Sequence, residues 1–189
     1  MTVESTPEGV SVADAPDTPA APELHGVPTT TSSAGQLVAH PTREQLVELV
    51  TALRADGYWQ CLDVLGVDHL TNSARPPVPE GIELERFEVV VLLIDHVQRR
   101  RLRLRVQIPE DDPTCPSLVA IHPGIEAPER EVYDMFGITF VDHPDMTRIL
   151  MPEDWDGHPL RKDYAIGKIP VQFKATNSDQ AHSTGRAAR

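Results

Sequence analysis

The 189-residue chain carries 29 acidic against 17 basic side chains, a formal net charge of −12, which argues against a protein whose main task is to coat nucleic acid or anionic lipid. The length suits one domain of ordinary size plus tails. Cys61 and Cys115 stand far apart with no C-x-x-C pair, so they cannot by themselves ligate an iron–sulfur cluster or a structural zinc and read as two small buried side chains. No run approaches the roughly 18–20 apolar residues of a membrane span, the longest being FEVVVLLI with Glu88 inside it. The opening MTVESTPEGV lacks the basic and apolar regions of a signal peptide, and a cytoplasmic location is expected.

Residues 1–41 hold five acidic and no basic side chains among Pro, Ala, Ser and Thr. Such a composition buries too little apolar surface to offset its ordering entropy, and a disordered tail is expected. Order is expected to begin at PTREQLVELVTALRADGY: Thr42 and Gln45 make a capping box, Leu46, Val50 and Leu53 share one face, and Gly57 stops the helix. YWQCLDVLGV reads as a first strand. ERFEVVVLLID is apolar on both faces and belongs centrally in a sheet. RLRLRVQI alternates, with Leu102, Leu104, Val106 and Ile108 on one face and Arg101, Arg103, Arg105 and Gln107 on the other. These two runs form an antiparallel hairpin with one wet or partner-covered side. SLVAI could add a strand. APEREVYDMFG then predicts a helix, with Pro128 in its first turn, Glu129 and Glu131 at the end the dipole favours for acids, Arg130 and Asp134 as an i,i+4 pair, and Val132, Met135 and Phe136 on the apolar side.

Chemistry-bearing patterns are sparse. Three His-Pro dipeptides, at His122, His143 and His158, match no compact ligand spacing and read as structured turns, with a His/Asp metal site the minor alternative. The run from Arg99 to Arg105 could track phosphates, yet it lacks aromatics for stacking, so a solvated or partner-facing strand is expected over a nucleic-acid binder. There is no G-x-S-x-G and no Gly-rich phosphate loop. Glu129, Glu131 and Asp134 could shuttle protons but read as capping and surface charges.

From Asp142 to Pro170 recurrent proline excludes a continuous helix and the absence of alternation argues against a buried strand. The segment nevertheless holds Ile149, Leu150, Trp155, Leu160 and Tyr164 among Arg148, Arg161 and Lys162. Aromatic and arginine anchors on extended backbone are the composition of a protein–protein hot spot. The expectation is an arm lying in a groove on another protein, its arginines pairing with partner carboxylates. Packing back along its own domain stays open as the alternative.

At EREVYDMFGITFVDHPDMTRILMPEDWDGHPLRKDY the chain resembles the respiratory complex I 30-kDa subunit family, the C subunits of bacterial NADH-quinone oxidoreductase, through Glu129, Arg130, Glu131, Asp134, Met135, Phe136, His143, Arg148, Ile149 and Leu150. The likeness extends over about residues 42–173. Thr147 stands where the family usually has a basic residue, Asp142 where Gly or Asn is common, and His122 and Ala127 where Trp often occurs. The resemblance implies an α+β fold, a single domain with a mixed or antiparallel sheet and packed helices followed by an extended arm. The expected division is a tail over residues 1–41, the domain over 42–141, the arm over 142–176 and a second tail over 177–189.

It further implies no cofactor in this chain, with FMN and Fe-S clusters in partner subunits. The main expected partner is the quinone-site 49-kDa-type subunit, then neighbouring Fe-S subunits, with no nucleic acid and with membrane contact only through the complex, on its cytoplasmic side. The expected role is non-catalytic: assembly and clamping within a proton-translocating NADH:quinone oxidoreductase. The runner-up is the equivalent subunit of a related membrane-bound hydrogenase or other quinone-reducing dehydrogenase. Residues expected at the partner are Glu129, Arg130, Glu131, Tyr133, Asp134, His143, Arg148, Trp155, His158, Arg161, Lys162, Asp163 and Tyr164.

Overall fold

The computed structural model describes residues 22–165. Part of the expected amino-terminal tail is ordered. Strands β1 (Glu23–Leu24), β2 (Val27–Thr31) and β3 (Leu37–Ala39) form successive antiparallel pairs. Their sequences are short, but Val27, Val38 and Ala39 are buried, and β3 pairs in parallel with a longer strand, β6 (Arg100–Ile108). The edge of β6 therefore supplies the order that composition alone does not. The expected boundary at residue 42 moves back to at least residue 22; residues 1–21 and 166–189, which include the expected second tail, lie outside the described residues.

Helix α1 (Arg43–Ala55) begins as the sequence predicts, with Gln45 N donating to Thr42 Oγ1 and Thr42 N to Gln45 Oε1. It buries Leu46, Leu49, Val50 and Leu53. Strand β4 (Gln60–Asp68) follows and pairs antiparallel with β5 (Phe87–Asp95), which pairs antiparallel with β6. The six-stranded sheet runs β1-β2-β3-β6-β5-β4, mixed because of the parallel β3–β6 pair. YWQCLDVLGV thus forms the fourth strand in sequence and the far edge of the sheet.

One sheet face carries the core. Phe87, Val89, Val91 and Leu93 of β5 meet Leu102, Leu104, Val106 and Ile108 of β6, all buried beneath the helices. Burial of such side chains is worth about 1.5–3 kcal/mol each against an exposed reference. On the opposite face the expected arginine row is not uniformly wet. Arg105 is buried and forks onto Glu88 (2.8 and 2.7 Å), Gln107 donates to the same carboxylate, and the 70–86 connection covers the pair through the Pro77 carbonyl.

SLVAI is a turn, not a strand. The short strand there is β7 (Thr114–Pro116), parallel to β8 (Thr139–Val141). The Glu129 carboxylate captures the turn backbone, accepting from Ser117 Oγ at 2.6 Å and Leu118 N at 2.8 Å. Helix α2 (Glu126–Phe136) supplies that glutamate and ends at Gly137 with φ +72°. It lies against β4 at Gly66, where an added Cβ would stand 2.5 Å from the Phe136 ring.

Candidate functional site

From Asp142 to Ala165 the chain has neither helix nor strand, yet it is tied along that length to its own domain. Asp142 turns the chain with φ +65°, a conformation that Gly, Asn and Asp tolerate best. His143 then closes onto the Glu126 carbonyl through Nε2 (3.1 Å), while its Nδ1 accepts from Asp145 N. Arg130 reaches Thr147 rather than Asp134: Nε donates to the Thr147 carbonyl and Nη2 to Thr147 Oγ1 and the Arg148 carbonyl. Threonine at 147 offers that guanidinium a hydroxyl acceptor, which a basic side chain would not.

Asp134 is the central anchor. Its Oδ1 accepts from Arg148 Nη1 at 2.6 Å and its Oδ2 from the N–H groups of Ile149, Leu150 and Met151 at 3.2, 2.7 and 2.8 Å. Burial works to raise its pKa, but these donors outweigh burial and hold it below the ordinary carboxylate value. Arg148 Nη2 also donates to the Trp155 and Gly157 carbonyls, both at 3.0 Å, folding the segment into a loop. Tyr164 comes back over that loop, its ring beside Gly157, where a Cβ would meet it at 2.9 Å.

The open end of α2 is covered next. Leu160 N donates to the Met135 carbonyl, Arg161 Nε to the Phe136 carbonyl, and His158 Nδ1 pairs with the Asp134 carbonyl. Carbonyls at a helix C-terminus have no intrahelical partner, so the strap acts as their cap. Burial, with the charges of Arg161 and Arg148, depresses the His158 pKa despite the Asp134 carbonyl, which works to raise it. Farther on, Lys162 N donates to Asp68 Oδ2 at 2.8 Å, and Asp163 pairs with Arg86, which also holds Asp68.

The arm therefore has its groove on its own domain, correcting the expectation of a groove on another protein. Glu129 and Asp134 are fully buried, not surface charges, and cannot touch a partner directly. Arg148, Arg161, His158, His143 and Arg130 spend their polar groups internally, as does the Lys162 N–H. Asp163 pairs with Arg86, and Tyr164 turns back on Asp156 and Gly157. Glu131 and the Lys162 side chain stay exposed and Tyr133 half-buried. Trp155 differs: its indole nitrogen is buried with no acceptor among the described residues. The strap leaves three large apolar side chains outside, Leu150 60%, Leu160 46% and Ile149 40% exposed, among the exposed acids Asp142, Asp145, Glu153, Asp154 and Asp156. Asp68 and Arg86 were not marked by the sequence, because nothing local links them to residues 162 and 163.

The remaining chemistry is muted. Burial pushes the Cys61 thiol up to about 12 and the Cys115 thiol higher still, which suppresses the reactive thiolate. His122 is buried beside Arg54, with Nδ1 3.4 Å from its guanidinium. Among the described residues no group of three or more His, Cys, Asp or Glu side chains is placed to hold a metal, and no helix is long and apolar enough to cross a membrane.

Residues 39–169 match the model of the family described as respiratory-chain NADH dehydrogenase, 30 Kd subunit. The chain belongs to that family. The NADH-quinone oxidoreductase C subunit of Saccharopolyspora erythraea is 44% identical over 147 residues, covering 76% of this chain and 55% of the relative. Its counterpart in Salinispora arenicola is 41% identical over 143 residues, covering 74% and 54%. The chain thus spans about half the length of these relatives of the 30 kDa family. The structure of a trypsin-resistant fragment (1–134) of Nqo5 superposes with a TM-score of 0.55 at 34% identity, covering 64% of this chain and 89% of that one. A chain of an archaeal membrane-bound sulfane sulfur reductase shares the fold, with a TM-score of 0.60 at 22% identity over 74% and 78% of the two chains. The family match takes in both the α+β domain and the strap.

Proposed function

We propose that this chain is a non-catalytic structural subunit of the hydrophilic arm of a proton-translocating NADH:quinone oxidoreductase, peripheral to the membrane on its cytoplasmic side. In this reading FMN and Fe-S clusters reside in partner subunits and carry electrons from NADH to quinone. This chain holds the quinone-site 49-kDa-type subunit against them. The observation that carries the reading is the strap: a family-matched segment fixed by Asp134 and Asp68 that turns Ile149, Leu150 and Leu160 outward. Large apolar side chains on a rigidly held backbone are the expected centre of a protein interface.

A strap that is ordered before it docks suits a clamp. Because its own domain already fixes it, docking does not cost the entropy of ordering it. Leu150→Glu combined with Leu160→Glu alters only outward side chains, so the chain should keep its far-ultraviolet spectrum while assembly of the hydrophilic arm and quinone reductase activity fall together. Normal assembly of that variant would refute the clamp. The equivalent subunit of a related membrane-bound respiratory complex is the second reading, favoured by the fold shared with the sulfane sulfur reductase chain. Copurification with a flavin-binding NADH subunit in mild detergent separates the two.

A further inference from the structure

Where the end of α1 meets the start of β4, the fold leaves a cleft of about 360 Å³ lined by Arg54, Trp59, Leu62, His122 and Gly124 among others. Trp59 and Leu62 line it while standing 65% and 43% exposed. None of the lining residues is acidic, although acids outnumber basic residues 29 to 17 in the chain.

The polar groups of the cleft are unbalanced. Arg54 Nη1 donates to the Ile121 carbonyl and faces His122 Nδ1 at 3.4 Å, and no carboxylate pairs with this guanidinium among the described residues. A guanidinium can only donate, so His122 Nδ1 is the acceptor of that contact and the ring carries its proton on Nε2. His122 is 5% exposed, burial and then the charge of Arg54 hold its pKa below the ordinary value, and its Nε2 has no partner among the described residues. A buried donor without an acceptor is rare in a native fold. Beside an unpaired guanidinium it asks for a negatively charged acceptor.

Water would serve these donors but not the exposed indole and Leu62, which gain by being covered with apolar surface. A carboxylate borne beside an apolar group satisfies both halves of the cleft. A polypeptide supplies that group better than a free acid does. Small-molecule pockets enclose most of their ligand, whereas an arginine beside a largely exposed tryptophan is the composition of a protein–protein hot spot.

We propose that this cleft receives an Asp or Glu side chain flanked by an apolar residue on another polypeptide. The carboxylate accepts from Arg54 and, as the cleft closes on it, from His122 Nε2, while the apolar neighbour lies on Trp59 and Leu62. The site does not rest on the clamp assigned to the strap: Asp68, where Lys162 is tied, lies about 20 Å farther along β4 than Leu62.

The test titrates the isotope-labelled full chain with the blocked peptide acetyl-Leu-Glu-Leu-amide and with its neutral twin acetyl-Leu-Gln-Leu-amide, reading the Trp59 indole N–H and the Leu62 and Gly124 amides. The glutamate peptide should shift these signals in a saturable way. The glutamine peptide should bind at least about tenfold more weakly, the factor for one charge-assisted hydrogen bond. Trp59→Ser, which alters an exposed side chain, and Arg54→Gln should each weaken the glutamate peptide by a similar factor with the far-ultraviolet spectrum unchanged. If Arg54→Gln fails to fold, Trp59→Ser and the peptide pair still decide. Two peptides that bind alike, shifts that fall elsewhere, or no saturable shift would overturn the proposal. Hexanoate binding as tightly as the glutamate peptide would also overturn it, by assigning the cleft to a free acid.

Discussion

Arg148 Nη1 donates to Asp134 Oδ1 at 2.6 Å while the second oxygen of the same carboxylate takes three consecutive backbone N–H groups, so one buried acid on α2 holds a segment that has no secondary structure of its own. Removing it leaves Arg148 and three N–H groups short of an acceptor. Asp134→Ala should destabilise the chain by about 3–5 kcal/mol. Asp134→Asn keeps an acceptor and should cost about 1–3 kcal/mol. Urea denaturation at neutral pH measures both. Limited trypsin digestion at Arg148 and Arg161 should show the strap opening first.

Glu129 is the opposite case on the same helix. Burial outweighs the Ser117 and Leu118 donors and raises its pKa. An acid raised in the folded state binds more protons there than when unfolded, so its contribution is greatest below the unfolded value, about 4.3, and is lost as pH rises through the folded value. Glu129→Gln is uncharged at every pH and can still accept from Leu118 N and donate to Ser117 Oγ. Its stability relative to the parent should therefore rise between about pH 4 and the folded pKa, and the difference between the two urea midpoints across that range tests it. Glu129→Ala, which empties the acceptor site, should cost about 1–3 kcal/mol.

How far these anchors were legible depends on whether their partners are local. The α1 capping box, the β5–β6 alternation and the Gly137 stop are set by neighbours within a few residues, and they appear as the sequence predicts. The strap's composition was also legible, but its destination was not: hot-spot chemistry is the same whether a groove belongs to a partner or to the chain itself. Asp134 looked like a surface charge because it falls four residues after Arg130. Its true donors lie at 148–151, across a loop with no periodicity. Likewise β2 and β3, five and three residues long, are too short to order alone and take shape on the edge of β6.

Gly137 should be intolerant for two separable reasons. Its φ of +72° disfavours any side chain, and a Cβ would stand 2.5 Å from His158 Nε2 and 2.6 Å from Arg161 Nη2. The backbone term alone is about 1–2 kcal/mol. Gly137→Ala should lose more than that and free the strap as well, seen as faster hydrogen exchange at Leu160 and Lys162. Gly35→Ala, at a similar φ of +75° with nothing within 4 Å, should show the backbone term without strap release.

Acid should loosen the strap through His158 before it reaches Asp134. The His158 pKa is depressed in the fold, so the unfolded state binds the extra proton first. Its contribution is complete above the unfolded value of about 6.5 and is lost as pH falls from there through the folded value. Asp134, also depressed, keeps its contribution above about 3.9 and loses it only below. Protection factors of the Leu160 and Lys162 amides should therefore fall in two stages, and His158→Gln should remove the upper one. A single transition below about pH 4 in the parent would deny His158 this role.

Truncation after Val141 decides whether the strap is part of the fold. The shortened chain keeps Asp134 and Asp68 but removes Arg148 and the N–H groups of Ile149, Leu150 and Met151 that Asp134 holds, and the Lys162 N–H that Asp68 holds beside Arg86. It also uncaps the carbonyls at the end of α2. The loss at neutral pH should be about 3 kcal/mol or more, from the charge-assisted hydrogen bonds taken from Asp134 and the uncapped end of α2. Without those donors the Asp134 pKa is no longer held below the ordinary carboxylate value, so acid costs the intact chain a contribution that the truncated one has already lost. The stability gap between the two should then narrow as pH falls below about 4, through the depressed folded value of Asp134. A gap that stayed constant with pH would mean that apolar contacts, rather than the carboxylate anchors, bind the strap to its domain.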